Sequence, residues 1–126
     1  MKKVLILITS TLVLLVGMSG CRKVNGDAQV STDKVELTSE AQTTRVTTGG
    51  IDLIKCYEGG KLIGTGNYQE HQITGDWFIL STEDELWRTI NIEVRQNITG
   101  KVRTILVHVR QADSGTNFTV TQQCAL

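Results

Sequence analysis

The chain has 126 residues, 13 Lys+Arg against 13 Asp+Glu, three Cys and no Pro. That length accommodates one domain with a targeting segment but not two full domains, and the balanced charge offers no electrostatic case for binding nucleic acid. A hydrophobic content of 40% with 21% charged residues excludes a disordered tail and a multi-span membrane protein.

The N-terminus opens with Lys2 and Lys3, followed over residues 4–16 by VLILITSTLVLLV and then by Gly17, Met18, Ser19 and Gly20. A positive start, a short apolar core and a small-residue exit form the layout of a secretory signal peptide. The tetrad Met18-Ser19-Gly20-Cys21 resembles the bacterial lipobox, although Met replaces the commoner Leu at its first position. This resemblance implies cleavage of residues 1–20 and acylation of Cys21, the one thiol at that junction, for example by palmitate. Several acyl chains on one Cys hold a protein on a membrane stably, where a single chain binds marginally. Removal of Lys2 and Lys3 leaves 11 basic against 13 acidic side chains, a mature charge of −2 over 106 residues. Arg22, where an Asp would retain a lipoprotein at the inner membrane, implies the outer membrane. The acidic cluster of surface-displayed Bacteroidetes lipoproteins does not follow Cys21, so the periplasmic face is favoured over the cell surface.

Residues 21–29 read as a polar tether that reaches at most ~30 Å, and residues 30–126 as one domain. That domain reads as β throughout, with Thr at 15 positions after Cys21 and no sustained helical apolar stripe. Alternation and turn residues suggest strands around Val35 and Leu37, over 45–48, and over 51–57. The last of these ends in Glu58-Gly59-Gly60-Lys61, a hairpin turn leading into Leu62-Ile63. Residues 64–67 read as a further turn, 68–73 as a short strand and 77–80 as a compact apolar run. The three final strands are the clearest. Over 86–94, Ile90, Ile92 and Val94 share a face. Over 102–109, Ile105, Val107 and Val109 align opposite Thr104, Leu106 and His108. Over 117–122, Phe118 and Val120 alternate with Thr119 and Thr121. Seven or eight short strands in ~100 residues predict an all-β, immunoglobulin-like β-sandwich.

With Cys21 acylated, Cys56 and Cys124 remain in a compartment that permits disulfides. A bridge would close a loop of 69 residues and stabilise by about 4 kcal/mol on the chain-entropy account. The alternative is two free thiols, and separation in sequence does not decide between them.

Several small motifs occur in order: Val35-Glu36-Leu37, Asn97-Ile98-Thr99, Arg103, Asp113-Ser114-Gly115 and the closing Val120-Thr121-Gln122. In that order they resemble the Bacteroidetes-associated carbohydrate-binding often N-terminal (BACON) domain over residues 29–123. The resemblance implies a small sandwich module of glycan-degrading enzymes or surface lipoproteins, acting as a carbohydrate binder or as a spacer. This chain departs from the family in having no Trp over 51–57 and an apparent insertion over 64–74.

Catalysis needs converging nucleophile, base and orienting groups, and the sequence supplies no such motif. His108 reads as a solvated strand residue and His71 as part of a polar loop or edge. Three consecutive acids, Glu83-Asp84-Glu85, cannot all face one ion from a strand, so no metal or other cofactor is expected. Sugar rings stack on exposed aromatic faces edged by polar groups. Trp87, out of phase with Ile90, Ile92 and Val94, is the leading candidate contact, with Tyr57 and Tyr68 near turns as a second platform. A Trp that covers a sheet edge or the sandwich end is the competing, commoner reading of Trp87; Trp77, in an apolar run, reads as core. The expectation is a non-catalytic lipoprotein held in the membrane through Cys21. Its partner is a glycan or glycoprotein, or alternatively it is a spacer or interaction protein that binds an envelope protein.

Overall fold

The computed structural model describes residues 28–125. The predicted signal peptide, Cys21 and most of the tether lie outside the described residues. Nine strands and no helix occur among the residues described: β1 (Lys34–Leu37), β2 (Gln42–Thr47), β3 (Leu53–Glu58), β4 (Lys61–Gly66), β5 (Gln72–Thr74), β6 (Phe78–Ser81), β7 (Thr89–Val94), β8 (Arg103–Gln111) and β9 (Ser114–Gln122). They form a five-stranded sheet ordered β1-β9-β8-β3-β4 and a four-stranded sheet ordered β2-β7-β6-β5. The pairing of β1 with β9 is parallel and the rest are antiparallel. This is an immunoglobulin-like β-sandwich.

Alternation drives the two sheets together. In β7, Ile90, Ile92 and Val94 are buried while Thr89, Asn91 and Glu93 are not; in β8, Ile105, Val107 and Val109 are buried while Thr104, Leu106 and His108 face outward. These side chains meet Phe118 and Val120 of β9, Ile54 and Cys56 of β3, Val46 of β2, and Phe78 and Leu80 of β6 in one core. Each such aliphatic or aromatic side chain contributes about 1.5–3 kcal/mol when fully buried.

The N-terminal segment changes sheets. Val30 bridges to Thr48 and the Ser31 amide donates to the Thr47 carbonyl at 2.9 Å, placing this stretch on β2. Three residues later the chain runs along β9 as β1, and the Ala28 amide donates to Ser114 Oγ at 2.9 Å. Residues 28 and 29, the described part of the predicted tether, therefore lie at the β8–β9 hairpin end of the sandwich, the tether end.

Three elements differ from the sequence reading. Residues 64–66 continue β4 instead of turning, because Gly64 and Gly66 pair with Cys56 and Ile54. The strand expected over 68–73 is confined to Gln72–Thr74, paired with β6. The strand expected from residue 86 begins at Thr89, because Trp87 has φ 51°, a left-handed conformation that interrupts an extended run.

Candidate functional site

Trp87 does not face solvent. It is completely buried at the tether end of the core, which corrects its assignment as a glycan contact. Thr48 Oγ1 donates to its carbonyl at 2.8 Å, its amide donates to the Asp84 carbonyl at 2.9 Å, and its indole Nε1 donates to the Asn67 carbonyl at 3.0 Å. These bonds hold a bulky residue in a backbone region that costs of order 1–3 kcal/mol. Gly66 makes room for the ring, since a Cβ there would lie 2.6 Å from Trp87 Cζ2 and 2.7 Å from Ile54 Cγ2. Period-two alternation had placed Trp87 outside; the left-handed turn puts it inside.

Trp77 is buried, at the opposite end of the sandwich. Its Nε1 donates to Glu58 Oε2 at 2.8 Å and the Arg103 guanidinium lies 4.7 Å above its ring. Arg103 Nε donates to Gln122 Oε1 at 3.0 Å, and Gln122 Nε2 donates to the Arg95 and Glu40 carbonyls at 2.9 and 3.3 Å. Burial lowers the pKa of Arg103 from its usual value, and the charge of Glu58 opposes that shift.

Beside them Asn97 is fully buried, its Nδ2 donating to the Lys101 and Gln123 carbonyls at 2.8 and 3.1 Å. Its Oδ1 accepts from the Thr99 amide and hydroxyl at 3.0 and 2.7 Å. Asn97-Ile98-Thr99, Arg103 and Gln122 thus converge at one end of the sandwich. There Arg103 bonds Gln122, and Asn97 and Gln122 spend their remaining polar atoms on backbone and on Thr99.

Cys56 and Cys124 are free thiols, which corrects the possible disulfide. Cys56 points into the core from β3, and Cys124 lies beyond the end of β9. Burial, with a contribution from Glu58, pushes the Cys56 thiol up to about 12, so it is an inert core side chain. His108 contacts Asn117 Oδ1 through Nδ1 at 2.6 Å on the outward side of β8, and His71 contacts the Tyr68 carbonyl through Nε2 at 2.9 Å. Asp84 accepts from the Arg88 amide at 2.9 Å and pairs with its guanidinium at 3.1 Å. No group of three His, Cys, Asp or Glu able to hold a metal ion occurs among the described residues.

Tyr57 and Tyr68 are not brought together. Tyr68 is exposed in the β4–β5 connection, whereas Tyr57 lies half-buried near the other end of the β3–β4 hairpin. Tyr57 is directly opposite Leu62 of β4 on one side and Leu106 of β8 on the other. Leu62 and Leu106 are 49% and 38% exposed, so an apolar row crosses three neighbouring strands on the outside of the five-stranded sheet.

A bulge creates this row. The β3–β4 register shifts between Cys56 and Tyr57, so Ile63 packs against the core while Leu62 points outward. The sequence had signalled Leu106 by its phase opposite Ile105 and Val107. It had not signalled Leu62, because the two apolar residues Leu62-Ile63 do not say which faces inward.

No family model matches the chain, and no curated protein does. Solved structures do. The chain is similar to a protein from Bacteroides thetaiotaomicron solved by NMR, with TM-score 0.62 and 16% identity over 83% of this chain and 93% of that one. It is also similar to titin domain M7, with TM-score 0.53 and 12% identity over 82% of this chain and 99% of the other. The titin M1 domain gives 0.53 at 8% identity over 79% and 95%. At such identities the likeness is one of fold: these are immunoglobulin-like modules.

Proposed function

We propose that the chain is a lipid-anchored, non-catalytic recognition module of the bacterial cell envelope that binds protein through the outer face of its five-stranded sheet. The carrying observation is the row of Leu62, Tyr57 and Leu106 in direct cross-strand register. Interface cores favour such aromatic and aliphatic surface, ringed by polar groups. A sugar platform needs an aromatic face left clear. Here Trp87 is interior, Tyr57 is flanked by aliphatic side chains on both neighbouring strands, and Tyr68 stands apart.

The BACON-like motif order and the lipobox-like tetrad ending in Cys21 support an envelope setting. In this reading the lipid on Cys21 anchors the domain at the outer membrane, with the periplasmic face favoured. Labelling cells with an alkyne analogue of palmitate tests the anchor. The wild-type chain is expected to label and to sediment with membranes, and Cys21→Ala to do neither; an unlabelled wild-type chain removes the anchor from the proposal. A glycan array probed with the full mature chain tests the ligand class. Saturable binding that survives Leu106→Lys would assign a glycan and not a protein.

A further inference from the structure

The two outer faces of the sandwich differ in chemistry. On the four-stranded sheet, Thr43, Arg45 and Thr47 lie opposite Glu93, Asn91 and Thr89, and β6 and β5 add Ser81, Gln72 and Thr74 with Ile79 as the apolar member, a mainly polar face with one Arg and one Glu. On the five-stranded sheet the apolar row is accompanied by basic side chains. Lys55 lies opposite His108, one outward position from Tyr57 and Leu106, and Arg110 stands at the next outward position of β8. Lys34 of β1 lies opposite Thr119, itself opposite Leu106, so it ends the same cross-strand line. Glu36 is the carboxylate on this side of β1, while Glu58 turns to the Trp77 indole. Asp52 and Asp113 lie beyond the strand ends, and Asp52 accepts from the Ala112 amide at 3.2 Å.

Among the described residues none of Lys34, Lys55 and Arg110 is in an ion pair. Arg110 spends one Nη2 contact on the Ala112 carbonyl, at 3.3 Å. A local excess of positive charge therefore sits beside exposed Leu62 and Leu106 and half-buried Tyr57 on a mature chain whose net charge is −2.

We propose that this face docks an acidic protein surface, with Leu62, Tyr57 and Leu106 receiving its apolar side chains and Lys34, Lys55 and Arg110 its carboxylates. The inference rests on the protein-binding reading of the same face and adds the partner's chemistry. Apolar contact supplies the desolvated centre, and the basic flank steers encounter and fixes register.

The test uses the full-length chain in the cells that make it, with a photo-crosslinking amino acid replacing Thr104 or Thr119 beside the row, and Asn91 on the opposite face as control. Irradiation is expected to give one protein adduct from the first two positions and none from the third, with the crosslinked partner peptide rich in Asp and Glu. The double substitution Lys55→Glu, Arg110→Glu should lower adduct yield about tenfold, and Lys55→Arg, Arg110→Lys should restore it. Because both sites are outward-facing, near-UV circular dichroism of the double variant is expected to match wild type. The unsubstituted face gives a second readout, since adduct yield from membranes washed in roughly 0.5 M salt should fall steeply. An adduct from Thr104 and Thr119 that is indifferent to charge reversal and salt overturns the acidic partner and leaves the protein-binding reading standing. Equal yield from Asn91, no adduct from the face, or an adduct to glycan or lipid overturns both.

Discussion

Each end of the sandwich is closed by a tryptophan, and the two are held by different chemistry. At the tether end Trp87 supplies volume: its ring fills the space that the missing Cβ of Gly66 leaves, and its polar contacts are all with backbone or a single Thr hydroxyl. At the far end Trp77 is one member of a polar network with Glu58, Arg103 and Gln122, with Asn97 fastening the neighbouring turn. One closure is apolar packing held by a strained backbone; the other is an exchange of hydrogen bonds among side chains distant in sequence. The difference says where mutation is felt as lost packing and where as stranded polar groups.

The largest effect is therefore expected from Trp87→Ala. Emptying a fully buried indole site costs about 3–5 kcal/mol in comparable cores, a large share of the stability of a domain this size. Urea unfolding followed by circular dichroism measures it; a loss below ~1 kcal/mol would show that the tether end does not depend on the ring. Asn97→Ala is expected to come next, at about 1–3 kcal/mol, because the Gln123 carbonyl and the Thr99 amide lose the Asn97 side chain together while the Lys101 carbonyl keeps only the Thr99 hydroxyl. Asn97→Asp separates the two halves of that role: a carboxylate still accepts from Thr99 but cannot donate to the two carbonyls. If Asp restores wild-type stability, the donor half of the network is dispensable.

The same contrast explains what could be read from the sequence. Ile90, Ile92, Val94, Ile105, Val107, Val109, Phe118 and Val120 lie on the inward face that alternation assigns them, since a sheet with one buried face converts period two directly into burial. Asn97, Arg103 and Gln122 were visible as spaced motifs, but not as one cluster, because only the sandwich topology brings three separate turns and strand ends together. Trp87 was misplaced because period-two reasoning assumes extended backbone, and a single positive φ reverses the side on which a residue emerges. The row on the outer face was half legible. Leu106 stands out as an apolar residue in a solvent phase, whereas the bulge that turns Leu62 outward depends on how β4 pairs with β3 and leaves no local trace.

At the far end, Trp77→Phe keeps the edge-to-face contact with Phe78, whose ring centroid is 5.1 Å away, and removes the N–H that Glu58 accepts. The expected loss is about 1–2 kcal/mol, combining one part-buried charge-assisted hydrogen bond with a partial weakening of the cation–π contact. If Trp77 acts through its N–H, Glu58→Gln should retain part of that stability and Trp77→Phe combined with Glu58→Gln should be non-additive. Strict additivity would reduce the far-end network to independent packing contacts and erase the contrast with Trp87.

The smallest effect belongs to the loop that presents Trp87. Asp84 accepts from the Arg88 amide through one carboxylate oxygen, while its own carbonyl accepts from the Trp87 amide. The Arg88 backbone hydrogen bond is the main reason its pKa is lowered, with the Arg88 charge adding to it. A carboxylate depressed in the folded state stabilises above its unfolded pKa, about 3.9 for Asp, and that contribution disappears as pH falls through the lower folded value. Asp84→Asn should thus leave unfolding at neutral pH only slightly weaker and flatten its fall below about pH 4. The carboxylate is exposed to water, so the change is a slope to be read by comparing acid titrations of the two proteins. An identical acid limb in both would mean that the left-handed turn at Trp87 is held from the β2 side, by the Thr48 hydroxyl on the Trp87 carbonyl. In that case Thr48→Val, and not Asp84→Asn, would be the substitution that loosens the tether end.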